Sequence, residues 1–162
     1  MRIVPITVDE LDRVVPLAAD FRVTLRGYRG IQSQPDLPAA REELEDFLRS
    51  GYPVFAAEEN GECIGYLVCR IEDGVLWAEH LYVRPQSRRM GAASALFARA
   101  EEVARSLGEE TVYNYVHPNN HGMIAFLRAR GYTVLNLIEI RKPYPGEKTN
   151  TSIRVGENQF DY

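Results

Sequence analysis

The chain has 162 residues, 45% hydrophobic and 26% charged, which suits one globular domain with a sizeable core. Its net charge of −4 and isoelectric point of about 5.5 argue against nucleic acid as the main partner, because binders of the phosphate backbone carry a basic surplus. No apolar run approaches the ~20 residues that a membrane span needs, and Met1 to Asp12 lacks the apolar core of a signal peptide.

The two cysteines, Cys63 and Cys69, lie in one predicted strand. Their Cα atoms would be about 20 Å apart, too far for a disulfide. No CxxC occurs and the three histidines are scattered, so no metal site is expected. Unpaired thiols fit a reducing compartment, and the expectation is a soluble cytoplasmic protein with no membrane partner.

In chain order, Ile3 to Val8 reads as an edge strand broken by Pro5. Thr7 or Asp9 then caps a helix with apolar residues at Leu11, Val14, Val15, Ala18, Ala19 and Leu25. Pro16 inside that pattern predicts a kink or a delayed start. Gly27 to Pro38 is a loop, and Pro38 to Ser50 is a second helix ended by Gly51. Pro53 to Glu58, Cys63 to Ile71 and Val75 to Val83 are strands, joined at Asn60-Gly61 and Asp73-Gly74 by strong hairpin signals. They form a meander.

Gly91 to Leu107 is a helix with a stripe of Leu96, Ala100, Val103 and Leu107, stopped by Gly108. Thr111 to Val116 is a strand. Asn119 or Asn120 caps a helix to Arg130, and Tyr132 to Lys142 is a long final strand. After a turn at Pro143 to Lys148, Ser152 to Val155 returns as its hairpin partner. The order β-α-α-β-β-β-α-β-α-β-β predicts a single α/β domain over 1–162. Its central sheet is mixed and mostly antiparallel, with helices on both faces and a C-terminal hairpin and tail from about residue 133.

The most informative segment runs from Leu81 to Ser94. A strand ends at Val83, a loop with Arg84, Arg88 and Arg89 follows, and a helix opens on Gly91-Ala92-Ala93. The first turn of a helix has unpaired N–H groups and a positive dipole end, where a pyrophosphate can sit. Small residues there let phosphates approach the backbone. Arg88 and Arg89 add charge for a further phosphate.

Arg88-Arg89-Met90-Gly91-Ala92-Ala93 resembles the (Gln/Arg)-x-x-Gly-x-(Gly/Ala) motif of the GNAT superfamily, which holds the pyrophosphate of coenzyme A. Leu81-Tyr82-Val83 with Pro85 resembles that family's fourth strand. Val116 to Asn120, Met123 to Leu127 and Gly131-Tyr132 resemble its fifth strand and fourth helix. The resemblance implies an acetyl-CoA-dependent N-acetyltransferase. Backbone groups of Leu81, Tyr82 and Val83 would pair with the pantetheine arm as an added strand. The amides of Arg89, Met90, Gly91, Ala92, Ala93 and Ser94 would hold the pyrophosphate, and Asn120 would contact the cofactor. The Val83 amide would polarise the thioester carbonyl and stabilise the oxyanion.

An amine of pKa near ~10.4 is mostly protonated at neutral pH, so a general base helps. Glu79 and His80 are the candidates. Strict alternation puts Trp77, Glu79, Leu81 and Val83 on one face and Ala78, His80 and Tyr82 on the other. A bulge would change that count. The resemblance favours Glu79, since family members commonly carry an acidic base on this strand. It also implies a tyrosine acid at a position held here by Leu127. Tyr132, Tyr113, Tyr115 or a water could substitute for it.

In the resembling family the loop after the first helix, here Arg26 to Gly30, and the final hairpin, here Lys142 to Lys148, line the acceptor site. The expected partner is a small-molecule or peptide amine. The terminal aromatics Phe160 and Tyr162 suggest packing on a neighbour, as in a homodimer. A non-catalytic acyl-CoA-binding module is the alternative reading.

Overall fold

The structure is a computed structural model that describes residues 1–149 and 151–162. Its centre is a four-stranded antiparallel sheet in the order β1 (Arg2–Pro5), β2 (Val54–Glu59), β3 (Glu62–Glu72) and β4 (Val75–Val83). Both tight turns form where the sequence signals them. Asn60 and Gly61 have φ of 51° and 85°, and Asp73 and Gly74 have φ of 51° and 78°. Two left-handed residues in succession match the right-handed twist of the flanking strands.

Pro16 delays the first helix rather than kinking it. The chain makes a 3₁₀ turn at Val8–Arg13, and α1 (Val15–Tyr28) then begins with the proline in its first turn. The missing N–H has no helical partner at that position in any case. The helix α2 (Leu37–Arg49) starts on Asp36, whose carboxylate accepts the Ala39 amide at 3.0 Å.

These two helices cover one face of the sheet. Leu11, Val14, Ala18, Phe21 and Leu44 pack there with Val54, Ala56, Tyr66, Val68 and Tyr82. The helix α3 (Ala92–Ser106) covers the opposite face, where its Arg99 guanidinium lies 4.9 Å over the Phe55 ring. Its buried side is Ala92, Leu96, Phe97, Ala100 and Ala104. The predicted stripe is therefore rotated: Leu107 is exposed, and Phe97 packs edge-on against Phe126 at 5.6 Å. Both stripes have helical spacing, and the larger apolar ring takes the inner place.

The predicted strand at 111–116 reduces to a single parallel bridge. Tyr113 accepts the Ala78 amide and donates to the Leu76 carbonyl, both at 2.9 Å. Pairing stops there, and the Asn114 side-chain amide donates locally to the Val112 carbonyl at 2.9 Å. A final helix, α4 (His121–Ala129), follows.

The chain divides into two compact units, Met1–Phe126 and Leu127–Tyr162. In the second unit the predicted strand at 132–142 has no regular structure, and Val134, Leu135, Leu137, Ile138 and Ile140 are exposed. Ser152–Val155 forms β5, but its partner is the tail itself, β6 (Asn158–Asp161), across a turn at Gly156. A two-residue turn closes a hairpin more readily than the long connection back to residue 142 would. Among the described residues no helix is long and apolar enough to cross a membrane.

Gly65 sits opposite Val83 where β3 and β4 approach closely. A Cβ there would lie 2.7 Å from the Tyr82 carbonyl oxygen and 2.9 Å from Val83 Cγ2. Gly65→Ala should cost about 1–3 kcal/mol through overpacking. Urea unfolding checks this, and a neutral result would show that the two strands separate without penalty.

Candidate functional site

The site grows from β4. Val68 pairs with His80 and Cys69 pairs with Ala78, so Glu79 is an extra residue with no partner on β3. Such a bulge resets which face each side chain takes. Leu76 and Ala78 lie opposite Ile71 and Cys69, on the α3 side. His80 and Tyr82 lie opposite Val68 and Tyr66, on the side of α1 and α2. The strict alternation expected from the sequence therefore fails at this point. Glu79 and His80 share one face, since the Glu79 carboxylate reaches Arg70, which pairs with Trp77 two residues along from Val68.

The two candidate bases sit in different surroundings. His80 is buried among Phe21, Phe47 and Tyr66, with ring centroids at 5.0, 5.2 and 5.8 Å. Its Nδ1 lies 2.9 Å from the Tyr66 hydroxyl. Burial, helped by the nearby Arg22 charge, pushes its pKa down to about 4. Glu79 is part-exposed and accepts from Arg70 Nε at 2.7 Å. Arg70 also donates to Glu72 at 2.7 Å and stacks 4.4 Å over the Trp77 ring.

Beyond the bulge the outer edge of β4 is open. Arg84 donates to the Ile64 carbonyl at 3.0 Å, so by antiparallel alternation the backbone groups of Leu81 and Val83 point away from β3. On that outer side Tyr113 bridges only as far as Ala78. The Val83 carbonyl instead accepts Arg88 Nε at 2.9 Å. Arg88 also lies 5.7 Å over the Tyr82 ring, so its guanidinium braces the turn.

The turn itself carries two left-handed residues, Arg89 at φ 65° and Gly91 at φ 86°. Ala95 donates to the Gly91 carbonyl at 3.0 Å. Among the described residues, the amides from Arg89 to Ser94 have no backbone acceptor. Nothing lies within 4 Å of where a Gly91 Cβ would stand. An open backbone, unpaired amides, a helix N-terminus and the exposed Arg89 together fit a polyanion such as the coenzyme A pyrophosphate.

Asn120 caps α4 by accepting the Met123 amide at 3.1 Å, and it also accepts the Tyr28 hydroxyl at 3.1 Å. Tyr28 stacks on His117 at 6.2 Å, and Asn119 donates to the Tyr28 carbonyl at 2.9 Å. The end of α1 is thus tied to the start of α4. Leu127 and Tyr132 belong to the second unit, where the Tyr132 amide donates to the Leu127 carbonyl at 3.0 Å.

Sequence reasoning missed Arg70. The Asp73-Gly74 turn contained the signal, because a two-residue loop sets the register that pairs Arg70 with Trp77. The Tyr28–Asn120 contact spans 92 residues and left no local trace.

A profile of the acetyltransferase (GNAT) family matches residues 20–132. No curated protein matches. Among solved structures, the aminoglycoside N-acetyltransferase AAC(6')-Iy, in complex with a bisubstrate analogue of coenzyme A and acetylneamine, is 21% identical. That match covers 88% of this chain and 98% of that one, with a TM-score of 0.68. The aminoglycoside 6'-N-acetyltransferase AAC(6')-IG of Acinetobacter haemolyticus is 21% identical over 89% and 99%, with a TM-score of 0.67. A ribosomal-protein-alanine N-acetyltransferase of Brucella melitensis biovar Abortus 2308 is 15% identical over 89% and 100%, with a TM-score of 0.68. At such identities the likeness to solved structures is one of fold.

The buried imidazole makes stability depend on pH. An unfolded histidine has a pKa near ~6.5, and the folded value is about 4. Between these values the unfolded state binds more protons, so stability is full above pH ~6.5 and falls as pH drops toward ~4. His80→Phe should remove this part of the fall, on the order of 3 kcal/mol. Urea unfolding at pH 7 and pH 4.5 measures it, and equal pH dependence in both proteins would refute the assignment.

Proposed function

The chain belongs to the acetyltransferase (GNAT) family, and we propose that it moves an acetyl group from acetyl-CoA to a primary amine by direct attack in a ternary complex. The observation that carries this reading is the open edge of β4 running into the unpaired amides of the α3 turn. A strand edge followed by a helix N-terminus suits an extended pantetheine arm ending in a pyrophosphate.

Bound acetyl-CoA supplies the acetyl group as an activated thioester. The residues of this chain do the rest. Leu81 and Val83 present outward backbone groups to the pantetheine arm, and the Val83 amide is the donor for the carbonyl oxygen. The amides from Arg89 to Ser94 hold the pyrophosphate, with Arg89 as the free-standing cation. Asn120 approaches the cofactor from the start of α4. Glu79 accepts the proton of the attacking amine, directly or through a water. Transfer would join the amine nitrogen to the acetyl carbon and release the sulfur as a thiol; one amine proton ends on that thiol, and the second proton of an ammonium acceptor passes through Glu79 to solvent. We place His80 behind the site as a neutral core residue. With Leu127 in the position of the family's tyrosine, water suffices as the acid, because a thiol of pKa around ~8.5 leaves readily.

Leu127 also favours a second reading, a non-catalytic acyl-CoA-binding module. Thiol release with an amine panel separates the two. The named neighbours suggest its first members: neamine, as an aminoglycoside, and a peptide beginning with alanine.

Acetyl-CoA should bind with micromolar affinity in calorimetry while ATP does not. Gly91→Glu should weaken binding at least about tenfold, through like charge at the pyrophosphate and a side chain at positive φ. A folded protein that ignores acetyl-CoA sinks the reading. Glu79→Gln should lower kcat by about 10²-fold or more with the acetyl-CoA Kd unchanged. A full rate across pH in that variant would remove Glu79 from the mechanism.

A further inference from the structure

The bulge leaves Glu79 without a cross-strand neighbour, so the ladder does not orient its carboxylate. A general base needs a fixed direction, because small misplacements of a reacting group are costly. The group that fixes Glu79 comes from the adjacent strand. Arg70 is only 17% exposed, and its guanidinium is held on several sides. Nε donates to Glu79 Oε2 and Nη1 donates to Glu72 Oε2, each at 2.7 Å. The plane lies 4.4 Å over the Trp77 ring and 5.8 Å from the Tyr115 ring. Glu72 is in turn fixed by the Tyr52 hydroxyl at 2.9 Å.

We propose that Arg70 is the positioning residue for Glu79, clamped by Trp77 and Glu72 so that it holds one carboxylate oxygen and leaves the other for the amine proton. This role rests on the acetyl-transfer reading above. Its physical logic is division of labour within the carboxylate. Arg70 takes Oε2, and among the described residues Oε1 accepts no hydrogen bond. An exposed ion pair with freely moving partners would have little orienting power. Here the guanidinium is stacked and doubly bonded, so its planar fork transmits its own orientation to the base. Lysine, a point charge on a flexible stem, could keep the attraction but not the orientation.

The test is a double-mutant cycle on the full chain, with Arg70→Met, Arg70→Lys, Glu79→Gln and the Arg70→Met/Glu79→Gln pair. Thiol release from acetyl-CoA is followed with neamine or an alanine-initiated peptide as acceptor. Where neither outpaces water, thiol release with water as the acceptor is followed instead. Calorimetry gives the acetyl-CoA Kd for every variant.

Arg70→Met should lower kcat about 10- to 100-fold, with the acetyl-CoA Kd within about twofold of the parent and no further loss in the Glu79→Gln background. Arg70→Lys should fall between the parent and Arg70→Met, and it carries the test if the methionine variant does not fold. A loss of the same factor with and without Glu79 would overturn the proposal, since Arg70 would then act elsewhere. A Glu79→Gln enzyme of full rate that still binds acetyl-CoA would also overturn it while leaving the cofactor reading intact. A folded parent that does not bind acetyl-CoA would mark the failure of the underlying function instead.

Discussion

One extra residue in β4 organises the rest of the site. Without the bulge at Glu79, Leu76 and Ala78 would share a face with His80 and Tyr82, and the strand could not satisfy the layers on both sides. With it, Leu76 and Ala78 turn toward α3 while His80 and Tyr82 enter the core under α1 and α2. The same insertion places Glu79 beside Arg70. It also coincides with the end of pairing to Tyr113, so the outer edge of β4 opens beyond Ala78. A local disruption of the ladder thus sets side-chain aim, core packing and an open strand edge together.

Next to the bulge, one strand carries two ionisable groups in contrasting environments. His80 is enclosed by aromatic rings, and burial disfavours its charged form. Glu79 stands part-exposed against a cation. Their separation along the chain is minimal, and their separation in chemistry comes from depth. The turn after β4 works by a different principle. Arg88 is spent on the Val83 carbonyl and the Tyr82 ring, so an anion proposed at the turn would be held by its backbone amides and the α3 dipole more than by that arginine.

Much of the fold was legible because the deciding forces are local. The Asn60-Gly61 and Asp73-Gly74 pairs demand left-handed φ, and both hairpins form as read. Val75–Val83 has the predicted boundaries, and Pro16 delays a helix because a missing N–H is tolerated in the first turn. The readings that failed rest on partners the chain does not name. The β-branched run at 132–142 has the composition of a strand, but a strand needs an edge to pair with, and the nearer closure is the β5–β6 hairpin. At 111–116 one bridge to β4 forms and ends where the bulge at Glu79 interrupts that strand.

By itself, then, the sequence determined the turns, the helix starts, the meander and the small-residue opening of α3, because glycine, proline and capping side chains act on their own neighbours. It also carried the resemblance of Arg88 to Ala93 to the family's motif. Only the tertiary structure decided which residues meet. The bulge at Glu79 arises from pairing two strands whose apolar faces must each reach a different layer, and no periodicity within β4 announces it. Arg70 reaches Glu79 across that pairing, and Tyr28 reaches Asn120 across 92 residues. Such contacts are properties of packing, in which a side chain's role follows from what lies opposite it rather than from what lies beside it in the chain.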